Sequence, residues 1–182
     1  MNGAPVAFWD ALCPEHGGLS HAVLHEAGHA VMAVHLGITF ADVSISRDPR
    51  DNKSDVGRLT GGGVRMASPE DVEELVKRDL VGSFQFLVAG ALAEYGAFRH
   101  CLDGSYRTDL NLWRNYAGLL EGQTDETLST ALGRPWKDEL RDAGDLLESL
   151  SPAVTAVARG LGNHDYVPLT YAEVCELVEQ PR

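Results

Sequence analysis

The sequence predicts a mostly α fold (α+β) with one small β-sheet or hairpin, in a single domain over residues 1–182. Three observations lead there. Apolar residues recur at helical spacing through most of the chain. Helix-start signals stand at Ser20, Ser68 and Thr170. Strand-like alternation is confined to ADVSISRDP at 41–49 and VGRLT at 56–60. A length of 182 residues with 44% hydrophobic and 23% charged residues suits one globular domain with a sizeable core.

Taken in order, residues 1–18 read as an irregular lead-in. Ser20 can cap a helix that runs to about Leu36 and stops at Gly37. Val23, Ala27, Ala30, Val31 and Val34 make one apolar stripe on it. The opposite side carries His25 and His29 among Met32, Ala33 and Leu36, so the helix is apolar on most sides and predicted to be buried. Val43 and Ile45 alternate with Asp42, Ser44 and Ser46 as in a half-buried strand. Residues 47–55 read as a charged loop before the second strand, and Gly61, Gly62 and Gly63 then read as a turn. Three glycines in a row would also let an extended peptide approach the backbone closely.

SPED at 68–71 starts a helical pattern that continues to about Phe98. Its apolar phase drifts across Gly82, which predicts a bend or two helices. Further helices are expected at 106–121, 135–150 and 152–161, with Trp113 and Tyr116 in the core. Thr170 and Glu173 form a capping box for a last helix to about Glu179. Residues 20–120 then form one core unit and 121–182 a set of C-terminal helices.

A formal net charge of −12 disfavours nucleic acid and anionic lipid as partners. No run approaches the roughly 18 apolar residues of a membrane span, and the N-terminal stretch lacks the pattern of a secretory signal. Cys13, Cys101 and Cys175 are odd in number and widely spaced. They suggest neither a disulfide framework nor a cysteine zinc knuckle, and a reducing cytoplasm is the expected location.

The chemistry concentrates in HEAGHAV at 25–31, an H-E-x-x-H motif. At about 100° per residue, His25 and His29 lie about 40° apart and one turn apart on one helix face. Their imidazoles can converge on one cation. Glu26 lies roughly 80° round from their mean direction, unsuited as a ligand but placed to reach a water beside the metal. A chance match in a chain of this composition has a probability of roughly 2%. Two buried histidines and a buried glutamate are costly without partners, and a cation would satisfy all three. A catalytic zinc site needs one more protein ligand. Glu94, His100, Asp103, Asp109 and His164 are the candidates, and spacing alone does not choose among them. His21 and His35 read as surface or core histidines, as do His100 and His164 if they are not ligands.

Three segments resemble the protease domain of the FtsH-type ATP-dependent zinc metalloproteases. These are HEAGHAVMA at 25–33, VAGALAEYGAF at 88–98 and GSYRTDLNLWRNYA at 104–117. The resemblance covers about residues 20–120, with VSISRDP and GRLTGGG where that family has its short β segment. It implies a helical zincin-like metallopeptidase domain with Zn2+ as cofactor. The implied ligands are His25, His29 and Asp109, with Glu26 as general base and Glu94 as a polar residue just outside the ligand set. A peptide or unfolded protein is the implied substrate, and a homo-oligomer is compatible.

Two features depart from the family. No G-x-x-x-x-G-K-[ST] phosphate loop occurs in the sequence and no membrane anchor is expected, so a separate ATPase or regulator is a possible expected partner. Gly90 is followed by Ala91 where the family has a Gly-Gly pair, which bears on local packing. The expected activity is hydrolysis of peptide bonds by a metal-activated water. The alternatives are a protein-binding or regulatory module with a structural or vestigial metal site, and a metal-dependent hydrolase of other bonds.

Overall fold

The computed structural model describes residues 12–13, 19–47, 59–66, 70–98, 105–119, 124–163 and 167–180. The expected features at Ser68, Pro69, His100, Cys101, Asp103 and His164, the loop beyond Arg47 and the start of the second strand at 56–58 lie outside them. Within them the chain is mostly helical with a small three-stranded antiparallel sheet, as the apolar periodicity predicts.

The lead-in is not wholly irregular. Strand β1 (Leu12–Cys13) pairs antiparallel with β2 (Leu19–Ser20), two residues each and too short to register as alternation. Helix α1 (His21–His35) follows, and every residue from His21 to Ala33 is buried. It ends where Gly37 adopts φ 69°. There the Ile38 N–H reaches the Ala33 carbonyl at 2.8 Å and the Gly37 N–H reaches that of Val34 at 3.1 Å, a glycine-terminated helix end.

Strand β3 (Asp42–Arg47) pairs with β4 (Leu59–Arg65). The three glycines lie inside β4, not in a turn: Gly61 faces Ser46, Gly62 faces Ile45 and Gly63 faces Ser44. Glycine weakens a strand and so reads as punctuation, but at position 62 tertiary contact requires it. A Cβ there would sit 2.5 Å from the Ser44 carbonyl oxygen and 2.6 Å from Cγ of Glu26.

Helix α2 (Glu70–Arg78) and α3 (Leu80–Phe98) are two helices, as the phase drift suggests, but the break is at Asp79 rather than Gly82. The Gly82 N–H donates to Asp79 Oδ1 at 2.8 Å, so Asp79 caps α3. By length and mean hydropathy α3 meets the minimum for a membrane span, but 61% of that window is buried inside the fold. Helix α4 (Ser105–Tyr116) stops earlier than the predicted 121, at a second glycine-terminated end with Gly118 at φ 70°. Trp113 anchors it. The indole is fully buried, donates to Ser83 Oγ at 3.1 Å and meets Phe84 edge-on at 5.3 Å. Asp109, one turn earlier on the same face, is thereby held towards α3 and α1.

Helix α5 (Asp125–Leu132) is absent from the sequence-based expectations, because eight residues rich in Ser and Thr carry little propensity. Only Leu128 and Leu132, one turn apart, are buried. Helices α6 (Trp136–Ser149) and α7 (Ser151–Asn163) lie where expected. Strand β5 (Leu169–Thr170) adds to the free side of β3, giving the order β4-β3-β5. Thr170 also opens α8 (Tyr171–Glu179) with the predicted capping box: its N–H donates to Glu173 Oε2 at 2.7 Å and its Oγ1 accepts from the Glu173 N–H at 3.4 Å. Helix α1 packs on α3, α7, α8 and the sheet, so one apolar cluster runs from Ala22 to Val174.

Candidate metal centre

Close contact between α1 and α3 makes the site. A Cβ at Gly28 would lie 2.6 Å from the Ala89 carbonyl oxygen and 2.7 Å from the Ala93 Cβ, so only glycine permits this approach. Across the seam, a Cβ at Gly90 would lie 2.5 Å from Nε2 of His29 and 2.6 Å from Nε2 of His25. Gly90 therefore leaves the space into which both imidazoles point. Ala91, where the family has its second glycine, is accommodated and buried.

The two histidines are oriented from behind. His25 Nδ1–H donates to Glu94 Oε1 at 2.6 Å, and His29 Nδ1–H donates to the Phe86 carbonyl oxygen at 2.8 Å. With Nδ1 engaged, each ring turns its Nε2 inward, and the two Nε2 atoms are 3.0 Å apart. Asp109, from α4, brings Oδ2 to 3.2 Å from His25 Nε2 and 3.4 Å from His29 Nε2. With both rings carrying their proton on Nδ1, no donor meets that buried oxygen, and a further proton on His25 Nε2 would supply one.

These atoms suit a divalent cation. Three electron-pair donors converge with no apolar filling between them, which is unfavourable unless something positive lies at their focus. Bonds of about 2.1 Å in a tetrahedral set place neighbouring donor atoms about 3.4 Å apart, close to the observed 3.0, 3.2 and 3.4 Å. Two imidazoles and one carboxylate are a donor set typical of catalytic zinc.

Without a metal, a proton takes the same place. Burial opposes charge on His25, but hydrogen bonding to Asp109 and Glu94 outweighs it and raises the pKa to about 10. Burial likewise works against ionisation of Asp109, yet the facing His25 and His29 rings hold it well below the usual carboxylate range. Glu26, on the same helix, is 5% exposed. Burial raises its pKa, with His29 and His25 pulling the other way. Its side chain lies against Gly62 of β4.

Glu26, His25, His29 and Asp109 border one cleft of about 160 Å³, open to solvent. Gly62, Gly63 and Val64 of β4 form one wall, and Phe86, Leu87 and Leu112 another. Glu94 is fully buried behind His25 and outside the cleft. His35 is exposed at the far end of α1.

Sequence reasoning gave no role to His21, one turn before His25. It is 1% exposed, donates from Nδ1 to Glu94 Oε2 at 3.0 Å, and stacks on Phe98 with ring centroids 3.7 Å apart. The available signal was the unbroken four-residue spacing His21, His25, His29. No known family profile matches the chain, and no curated protein matches it at a significant level.

Proposed function

We propose that this chain is a zinc-dependent metallopeptidase of the design seen in FtsH-type protease domains. One observation carries the reading: His25 Nε2, His29 Nε2 and Asp109 Oδ2 converge within 3.4 Å of one another, beside Glu26, on an open cleft. His25, His29 and Asp109 would hold the ion. Bound there, zinc supplies Lewis acidity, making water a nucleophile near neutral pH and polarising a carbonyl.

The chain's own groups do the rest. Glu26 accepts the proton of the attacking water on its carboxylate and passes it to the leaving amine. Its raised pKa suits both halves of that exchange, because a weaker acid is a stronger base and still returns the proton. Strand β4 is at the sheet edge in the order β4-β3-β5. An extended peptide laid along its Gly62–Val64 segment would pair with the backbone as an added strand and pass His25, His29 and Asp109. At Gly63, where even a Cβ would meet nothing within 4 Å, the strand leaves room for that approach.

Purified protein loaded with Zn2+ should cleave members of a panel of unfolded proteins. Glu26→Gln should keep about one zinc per chain and lose cleavage by about 10²-fold or more. Cleavage that survives in Glu26→Gln refutes its role as base. Zinc uptake with no cleavage of any substrate by the unaltered protein overturns the peptidase reading in favour of a binding module.

A further inference from the structure

The two histidines facing the focus are not supported alike. His29 leans on a neutral backbone carbonyl, whereas His25 leans on a carboxylate at 2.6 Å. That carboxylate, Glu94, is 0% exposed and sits on α3. A buried carboxylate must be hydrogen-bonded to remain ionised, and it must be fixed in rotation to present one chosen oxygen. His21 meets both needs. Its Nδ1 donates to Oε2, the oxygen that His25 does not use, at 3.0 Å. Its ring is in turn immobilised, 1% exposed and stacked on Phe98 with planes 9° apart. His21 and His25, one turn apart on α1, thus grip one carboxylate from both sides.

We infer that His21 is a positioning residue of the metal centre: by clamping Glu94 it fixes the carboxylate that orients His25 towards the cation. His21 does not border the cleft and touches neither substrate nor the reacting atoms. Its effect passes through Glu94 to the ring of His25, which must keep its proton on Nδ1 to offer a lone pair at Nε2. This role rests on the metal site proposed above and not on peptidase activity. It also explains why a polar histidine that does not face the cleft occupies a fully enclosed position on α1.

The test compares Zn2+ affinity, by competition with a chromophoric chelator, in the full chain and two variants. His21→Leu removes the donor. His21→Asn keeps a side-chain N–H near the Nδ1 position. His21→Leu is expected to bind Zn2+ about 10- to 100-fold more weakly, the usual effect of losing an outer partner of a ligand. His21→Asn is expected to stay within about threefold of the unaltered protein. Equal losses in both variants would show that His21 acts only by packing on Phe98. Unchanged affinity in His21→Leu would also overturn the role.

Unaltered protein that takes up no Zn2+ overturns the metal site, and this role with it. If neither variant folds, nitrogen-15 spectra of the unaltered Zn2+-loaded protein decide. Both His21 and His25 should carry their proton on Nδ1, and a His21 protonated on Nε2 alone would overturn the clamp.

Discussion

The seam between α1 and α3 and the packing of α7 on α8 are built on opposite principles. Along α7, β5 and α8 the buried side chains are aliphatic, among them Val157, Leu161, Leu169 and Val174. Helix α8 is started by its own capping box. Every device there is local or non-directional, so it tolerates adjustment. The α1–α3 seam buries His21, His25, His29 and Glu94 among small residues, with Glu26 buried beside it against β4. Such groups cost several kcal/mol unless each finds a partner. The difference teaches that the seam depends on directional pairing of buried polar groups, with three donor atoms left facing one another, whereas the C-terminal contact depends on shape and apolar burial.

The largest expected contrast comes from adding one methyl group to each region. Gly90→Ala would place a Cβ 2.5 Å from His29 Nε2, inside the focus of the three donor atoms. Zinc affinity should fall at least about 100-fold, read by chelator competition. Retained affinity would mean that the focus is not the binding point.

Removing the ion should separate the two regions next. At free zinc about a thousand times Kd, binding stabilises the fold by about 4 kcal/mol. Chelation should then lower the thermal midpoint by roughly 10 °C. Hydrogen exchange should accelerate more in α1, α3 and α4 than in α8. Uniform acceleration would show that the two regions do not differ in their dependence on the ion.

The pH dependence should differ in sign between loaded and metal-free protein. The folded-state pKa of His25 is about 10, above the ordinary histidine value. Its contribution to metal-free stability is therefore complete below about pH 6.5 and lost as pH rises towards 10. Zinc must displace that proton, so affinity should climb over the same interval. The gap between loaded and metal-free melting temperatures should widen from pH 6.5 to 9. A constant gap would show that no proton is displaced.

The smaller effects belong to the C-terminal contact. Thr170→Ala removes both bonds made by Oγ1 to Glu173 and keeps the backbone N–H, and should cost about 1 kcal/mol with no change in zinc affinity. Gly160→Ala brings a Cβ to 3.0 Å from Leu177 Cδ1 and 3.1 Å from Leu169 Cδ1, flexible methyls that can yield. The gain in helix propensity offsets that crowding, so stability should stay within about 1 kcal/mol. Both are checked by urea denaturation.

Legibility followed the same division. The capping box of α8, the stop at Gly37 and the strand alternation of β3 are written in adjacent residues, and the structure has each of them. Where local and tertiary demands conflict, the local signal misleads. Gly61, Gly62 and Gly63 read as a turn, yet they lie within β4, because Glu26 and Ser44 press against position 62. Asp79, not Gly82, divides α2 from α3, because an aspartate cap is a stronger device than a phase drift. Helix α5 carries no local signal because its two buried leucines stabilise it only through packing.

The sequence by itself determined that His25 and His29 share one helix face with Glu26 turned aside, because a 3.6-residue period leaves no alternative. It also determined a mostly helical chain with one short sheet. Only the tertiary structure brought Oδ2 of Asp109 to the two Nε2 atoms, set Gly90 opposite them, and joined His21 to Glu94. Those meetings join residues from 61 (His29 and Gly90) to 84 (His25 and Asp109) positions apart in the chain, and no local rule ranks Asp109 above its acidic neighbours. Such partners are selected when helices close on a buried polar cluster, since every charge enclosed there must be matched.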